Sequence, residues 1–116
     1  MTNHPKSISA LNLQQWIISE DEKLVIIDVR ENIELEIANF PYTDIQIPMS
    51  RASLNYVSSK IANFEDKKIV VLCHKGIRSY NFGIFLLENN FVDKVWNLEE
   101  GIDGWSRYID PSIPRY

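Results

Sequence analysis

The chain contains one cysteine, and its neighbours give that thiol a chemical setting. The run Cys73, His74, Lys75, Gly76, Ile77, Arg78, Ser79 holds a nucleophile, two fixed cations and a glycine within seven residues. Before it lies Ile69-Val70-Val71-Leu72, a β-branched apolar run of the kind that forms a buried strand. After it, Phe82, Phe85, Leu86 and Leu87 recur at helical intervals, and Asn89 or Asn90 can close the helix in a left-handed turn. The thiol is therefore expected at a strand end and a helix start. A helix N-terminus offers unpaired N–H groups and a positive dipole end, which favour a thiolate over a thiol. Lys75 and Arg78 add positive charge. Gly76 lets the backbone turn so that successive N–H groups point inward, as in an anion-binding nest. A lone cysteine is commonly just a small buried hydrophobe. Its position ahead of Lys-Gly-Ile-Arg-Ser, at a strand-to-helix junction, argues instead for a nucleophile in a cationic cup.

The elements that must position this cup alternate along the chain. Ser7-Ile8-Ser9 predicts a short edge strand, and Ser9 or Asn12 a cap for a helix with Leu13, Trp16 and Ile17 on one face. Leu24-Val25-Ile26-Ile27 lacks polar alternation, as a strand covered on both faces does, and ends in Asp28-Val29-Arg30. A short helix over Glu31–Phe40, a strand at Ile45–Pro48, a helix over Ser50–Phe64, a strand at Val92–Trp96 and a helix from Gly101 complete the order. Strands and helices in alternation predict an α/β fold, with a central, mostly parallel sheet of about five strands and helices on both faces. In such sheets function gathers at the carboxyl ends of the strands, where Cys73 and Asp28-Arg30 are both expected.

Composition sets the outer bounds. The 116 residues suffice for one domain over 1–116, with residues 1–6 expected to be flexible and 109–116 to form a tail or clasp. A net charge of −4 argues against a nucleic-acid partner. One cysteine permits no internal disulfide, which fits a reducing, cytoplasmic setting. With one Cys and two His no metal site is expected, and no cofactor. The polar start, Met1–Ala10, does not read as a signal peptide, and no apolar run is long enough to span a membrane.

Four segments together resemble the single-domain rhodanese-like sulfurtransferases: Ile27-Asp28-Val29-Arg30-Glu31, Ile47-Pro48, Cys73 to Ser79, and Asn97 to Trp105. The resemblance spans nearly the whole chain. It implies that Cys73 takes sulfur from a small anionic donor such as thiosulfate, carries it as a persulfide, and passes it to cyanide or a thiol. It further implies that His74, Lys75, Gly76, Ile77, Arg78 and Ser79 form the substrate-binding loop, and that Asp28 and Arg30 support it from behind as an ion pair. A sulfur-relay protein is an additional expected partner. Dual-specificity phosphatases of the same fold, and arsenate reductases like them, also use a loop from Cys to Arg, but protein phosphatases place five residues between the two; here there are four, a smaller cradle that favours attack on sulfur over phosphorus. Rhodanese-like domains also serve as non-catalytic interaction modules, and those often lack the cysteine that this chain keeps. Two departures from the family pattern stand out. Residues 38–44 lack the usual Gly and His before Ile-Pro, which predicts a different loop there. Glu100 replaces a usual glycine, which predicts a strained turn if the backbone needs positive φ at that position.

Overall fold

A computed structural model of the chain describes residues 4–61, 64 and 66–116. Five strands form one sheet in the order β1-β5-β4-β2-β3, and every pairing is parallel. The strands are β1 (Lys6–Ile8), β2 (Leu24–Asp28), β3 (Ile45–Gln46), β4 (Lys68–Leu72) and β5 (Trp96–Leu98). The helices are α1 (Ala10–Ile18), α2 (Asn32–Ile37), α3 (Leu54–Lys60), α4 (Ile77–Glu88) and α5 (Gly101–Tyr108), with a 3-10 turn at Met49–Arg51.

The central strand β4 shows why the sheet has two cores. Its side chains alternate in direction. Val70 and Leu72 join Leu13, Ile26, Leu98, Ile102 and Trp105 in one buried cluster. Ile69, Val71 and Cys73 join Ile27, Ile47, Val57, Phe82 and Leu86 in the other. The same period of two sends Cys73 to the second face, the one that carries Phe82 and Leu86 of α4.

Several expectations are refined. Ser9 caps α1, its hydroxyl accepting from the Asn12 N–H at 3.1 Å. Asn90 takes the left-handed conformation after α4 (φ 58°), and the Asn89 amide donates to the Phe85 carbonyl at 2.9 Å. The last strand lies later than expected: β5 begins at Trp96, while Val92 and Val95 are packing residues ahead of it. The expected helix over Ser50–Phe64 begins as a 3-10 turn, breaks at Ala52 and Ser53, and resumes as α3; its part at residues 62 and 63 lies outside the described residues. Ser53 caps the second piece, which explains the break: its hydroxyl accepts from the Tyr56 N–H at 3.2 Å. Leu54 falls on the outside, 53% exposed.

The expectation of flexibility over residues 1–6 does not hold for the described part. Lys6 is already in β1, its N–H bonded to the Val95 carbonyl at 2.9 Å. Pro5 is buried against Gly83, where an added Cβ would lie 2.5 Å from the proline ring. Residues 109–116 form a clasp. Ile113 is buried in the first core cluster, and Ser106 Oγ donates to its carbonyl at 2.5 Å.

Candidate functional site

The loop between β4 and α4 bends where the sequence allows it. Gly76 has φ +100°, and a Cβ there would lie 2.3 Å from the Glu99 carbonyl oxygen. No other residue fits that approach without displacing backbone. The turn directs the Gly76 N–H at Cys73 Sγ, 3.1 Å away. The N–H groups of Ile77, Arg78 and Ser79 follow in the first turn of α4, where no acceptor within the helix exists for them. Ser79 Oγ stands 3.3 Å from the same sulfur, and both residues are buried, Cys73 with 1% exposure.

A second element holds the loop from outside. Gly101 opens α5 with φ +61°, so close to the loop that a Cβ would lie 2.4 Å from the His74 carbonyl oxygen and 2.5 Å from that of Cys73. This close approach lets the Ile102 N–H donate to the Cys73 carbonyl at 2.9 Å and the Asp103 N–H to the His74 carbonyl at 3.0 Å. The loop carbonyls are thereby drawn toward α5, leaving N–H groups for the sulfur side. The strained turn expected at Glu100 is absent: its φ is −110°, and positive φ falls on Gly101 instead.

Asp28 and Arg30 form a fully buried ion pair with Nη2–Oδ2 at 2.8 Å. Burial works against the Arg30 charge, but the Asp28 carboxylate outweighs it and holds the guanidinium protonated above its ordinary range. Arg30 Nη1 also donates to the Ala38 carbonyl at 2.7 Å. This bond anchors the start of residues 38–44 to the ion pair. Phe40 fills the space behind, its ring edge-on to Trp105 at 5.0 Å.

The pair reaches the cysteine loop through residues that sequence reasoning did not single out. Arg30 Nη1 donates to the Tyr116 hydroxyl at 3.2 Å, and that hydroxyl donates to Glu34 Oε1 at 2.9 Å. Glu34 then takes both outer nitrogens of Arg78, at 2.7 and 2.8 Å. It also accepts from the Glu31 N–H at 2.9 Å, closing the first turn of α2. The bidentate Arg78 bond, acting against partial burial, holds the Glu34 carboxyl at about 2, well below its ordinary 4.5. Arg78 is raised correspondingly, chiefly by its bonds to Glu34. The sequence did hold a signal for Glu34: a carboxylate three residues after Glu31 at a helix start is the spacing of a capping box. Tyr116 gave none.

These bonds change the expected cup in two ways. Arg78 is not a free cation, since its charge is matched by Glu34. Lys75 is exposed and forms no ion pair among the described residues, so it supplies the loop's free positive charge. His74 is half-buried, its ring stacked on that of Tyr116 at 3.9 Å and 7°. Ile77 is exposed, at 73%. Among the described residues no group of side chains is arranged to hold a metal ion, and no helix is long and apolar enough to cross a membrane.

Comparison with known proteins identifies the family of the domain. The family model of the rhodanese-like domain fits residues 9–108. The chain therefore belongs to the rhodanese-like domain family. It is 36% identical over 90 residues to a tRNA uridine(34) hydroxylase of Cronobacter sakazakii, a match covering 76% of this chain and 25% of that protein. The chain thus spans about a quarter of the length of the curated relatives it matches. Among solved structures, it is similar to a rhodanese-related protein from Thermoplasma volcanium (TM-score 0.69, 26% identity, covering 96% of this chain and 99% of that one). It is also similar to a rhodanese-like domain protein from Staphylococcus aureus (TM-score 0.69, 25% identity, covering 96% and 98%).

Proposed function

We propose that the chain is a sulfurtransferase working through a persulfide on Cys73. The observation that carries this reading is the sulfur at the start of α4, with the Gly76 N–H and Ser79 Oγ against it. The Cys73 thiolate attacks the outer sulfur of a donor such as thiosulfate. A sulfur–sulfur bond forms, and sulfite leaves with the electron pair of the bond that breaks. Cyanide or a thiol then attacks the terminal sulfur, and the thiolate is regenerated. Backbone N–H groups from Gly76 to Ser79 stabilise the negative sulfur by fixed hydrogen bonds. Lys75 attracts the anionic donor. Arg78 holds the loop in shape through Glu34, and Asp28 with Arg30 supports that carboxylate through Tyr116. Burial of Cys73 keeps bulk water from its sulfur. His74, stacked on Tyr116, serves as packing rather than as a base.

Steady-state kinetics test the proposal. Varying thiosulfate at several fixed cyanide concentrations is expected to give parallel double-reciprocal lines, the pattern of two half-reactions, and Cys73→Ser is expected to show no turnover while keeping its fold. Intersecting lines, or turnover in the serine variant, would contradict it.

The match to tRNA uridine(34) hydroxylases favours a second reading, in which the domain acts as part of a tRNA-modifying system. The chain's net charge of −4 does not favour a polyanion such as RNA. A gel-shift titration with unmodified tRNA separates the two: the sulfurtransferase reading expects no shift at low micromolar protein.

A further inference from the structure

The Cys73 sulfur has two polar neighbours, and one of them has a single proton to place. Ser79 Oγ lies 3.3 Å from Cys73 Sγ and 2.5 Å from Asn97 Oδ1. The orientation of the Asn97 amide is fixed by its other end, because Nδ2 donates to the Gly76 carbonyl at 3.0 Å. An amide flipped the other way would set carbonyl against carbonyl. Asn97 Oδ1 is therefore an acceptor only, and Ser79 must donate to it. The hydroxyl then presents a lone pair, not a proton, to the sulfur. Ser79 is fully buried and Asn97 is 5% exposed, so water offers little alternative to either.

We infer that Asn97 is a positioning residue that holds Ser79 as a hydrogen-bond acceptor for the Cys73 thiol and so restrains its ionisation. In the resting state the thiol donates to Ser79 Oγ. When the thiol loses its proton to solvent buffer, the thiolate gains the Ser79 proton only by taking it from the short bond to Asn97. The same amide, through its bond to the Gly76 carbonyl, also ties β5 to the peptide that follows the Gly76 N–H. Asn97 stands on β5, opposite Val71 in the register, so the residue that sets the thiol's state comes from a different strand than the thiol. The inference rests on the proposed function only in taking Cys73 as the nucleophile.

The test is the pH profile of Cys73 alkylation by iodoacetamide, an uncharged reagent that needs no sulfur donor. The chain has no other cysteine, so the readout is unambiguous. Other titratable or charged groups near the thiol are His74 and Lys75 in the loop and Arg78 paired with Glu34. From α5 comes Asp103, paired with Arg115, and Tyr116 stacks on His74. All are unchanged across the variants. Asn97→Ala frees the hydroxyl to donate to the thiolate. The alkylation midpoint is expected to fall by about one pH unit, roughly tenfold faster reaction on the acid limb, the size of one charge-assisted hydrogen bond. Ser79→Ala added to that variant is expected to remove the gain. Ser79→Ala alone is expected to leave the midpoint in place or lower it, since it removes an acceptor of the thiol proton. Asn97→Asp keeps Ser79 engaged and adds a negative charge, so its midpoint is expected to rise. An unmoved or raised midpoint in Asn97→Ala would overturn the inference. So would a Ser79→Ala midpoint that rises equally in both backgrounds, because Ser79 would then already be a donor with Asn97 in place. If circular dichroism shows that Asn97→Ala does not fold, Ser79→Ala alone decides the matter: an unmoved or lowered midpoint supports the inference, and a raised one overturns it. Loss of sulfur transfer in the parent protein would count against the proposed function and leave this result standing.

Discussion

Replacing Glu34 by Gln tests how the cysteine loop is held. Glu34 joins α2 to the start of α4 through two bonds to Arg78, and its side chain is only 15% exposed. Its carboxyl sits at about 2 in the folded protein against an ordinary 4.5, first because of Arg78 and then because of the Glu31 N–H and the Tyr116 hydroxyl. A lowered folded value means that the carboxylate adds stability above the unfolded value. That stability is present in full above about pH 4.5 and is lost as pH falls toward 2. At about 1.4 kcal/mol per pH unit the span gives an upper figure of roughly 3 kcal/mol. Arg78 is 36% exposed, so solvent screening reduces this to about 2 kcal/mol. The assay is urea unfolding from pH 6 to pH 2, comparing wild type with Glu34→Gln. The wild type is expected to lose about 2 kcal/mol more than the variant across that range, with the gap at pH 6 closing as pH falls. Parallel curves, or a gap that persists at pH 2, would refute the argument that this ion pair fastens the loop.

Two more outcomes follow from the same geometry. Gly101→Ala places a Cβ 2.4 Å from the His74 carbonyl oxygen at φ +61°, and thermal unfolding is expected to show a loss of about 2–4 kcal/mol; Gly104→Ala meets only the Glu100 side chain and is expected to cost less. Lys75→Ala is expected to raise KM for thiosulfate several-fold while leaving KM for an uncharged sulfur donor nearly unchanged, because Arg78 is already matched by Glu34; equal effects on both donors would mean that Lys75 does not read the donor's charge.

The sequence made the strand, the thiol and the helix legible because each is a local pattern. Ile69–Leu72 is apolar without alternation, Gly76 marks the turn, and Phe82 and Leu86 mark the buried face of α4. The place of Asp28 and Arg30 at a strand end was legible from the apolar run before them, and their pairing through the family resemblance. What joins them to the loop was not legible. The path runs through Tyr116, 86 residues from Arg30, and Glu34, 44 residues from Arg78, and no local periodicity encodes such contacts. The same holds for Asn97, whose two bonds close only once β5 lies beside β4. The start of β5 was misplaced because Val92 and Val95 are as apolar as strand residues, yet they pack ahead of the strand. Arg78 was counted as a cation of the cup, and the carboxylate that matches it, Glu34, lies too far away in sequence to be read as its partner. Glu100 was expected to strain the turn, but the chain places positive φ one residue later, on a glycine.

The central claim is that Cys73 carries sulfur, and intact mass spectrometry tests it most directly. The purified protein is measured as it stands, after thiosulfate, and after subsequent cyanide. The account predicts a gain of one sulfur atom on Cys73 with thiosulfate and its complete removal by cyanide. No gain, with Cys73 still open to alkylation in the folded protein, would contradict it.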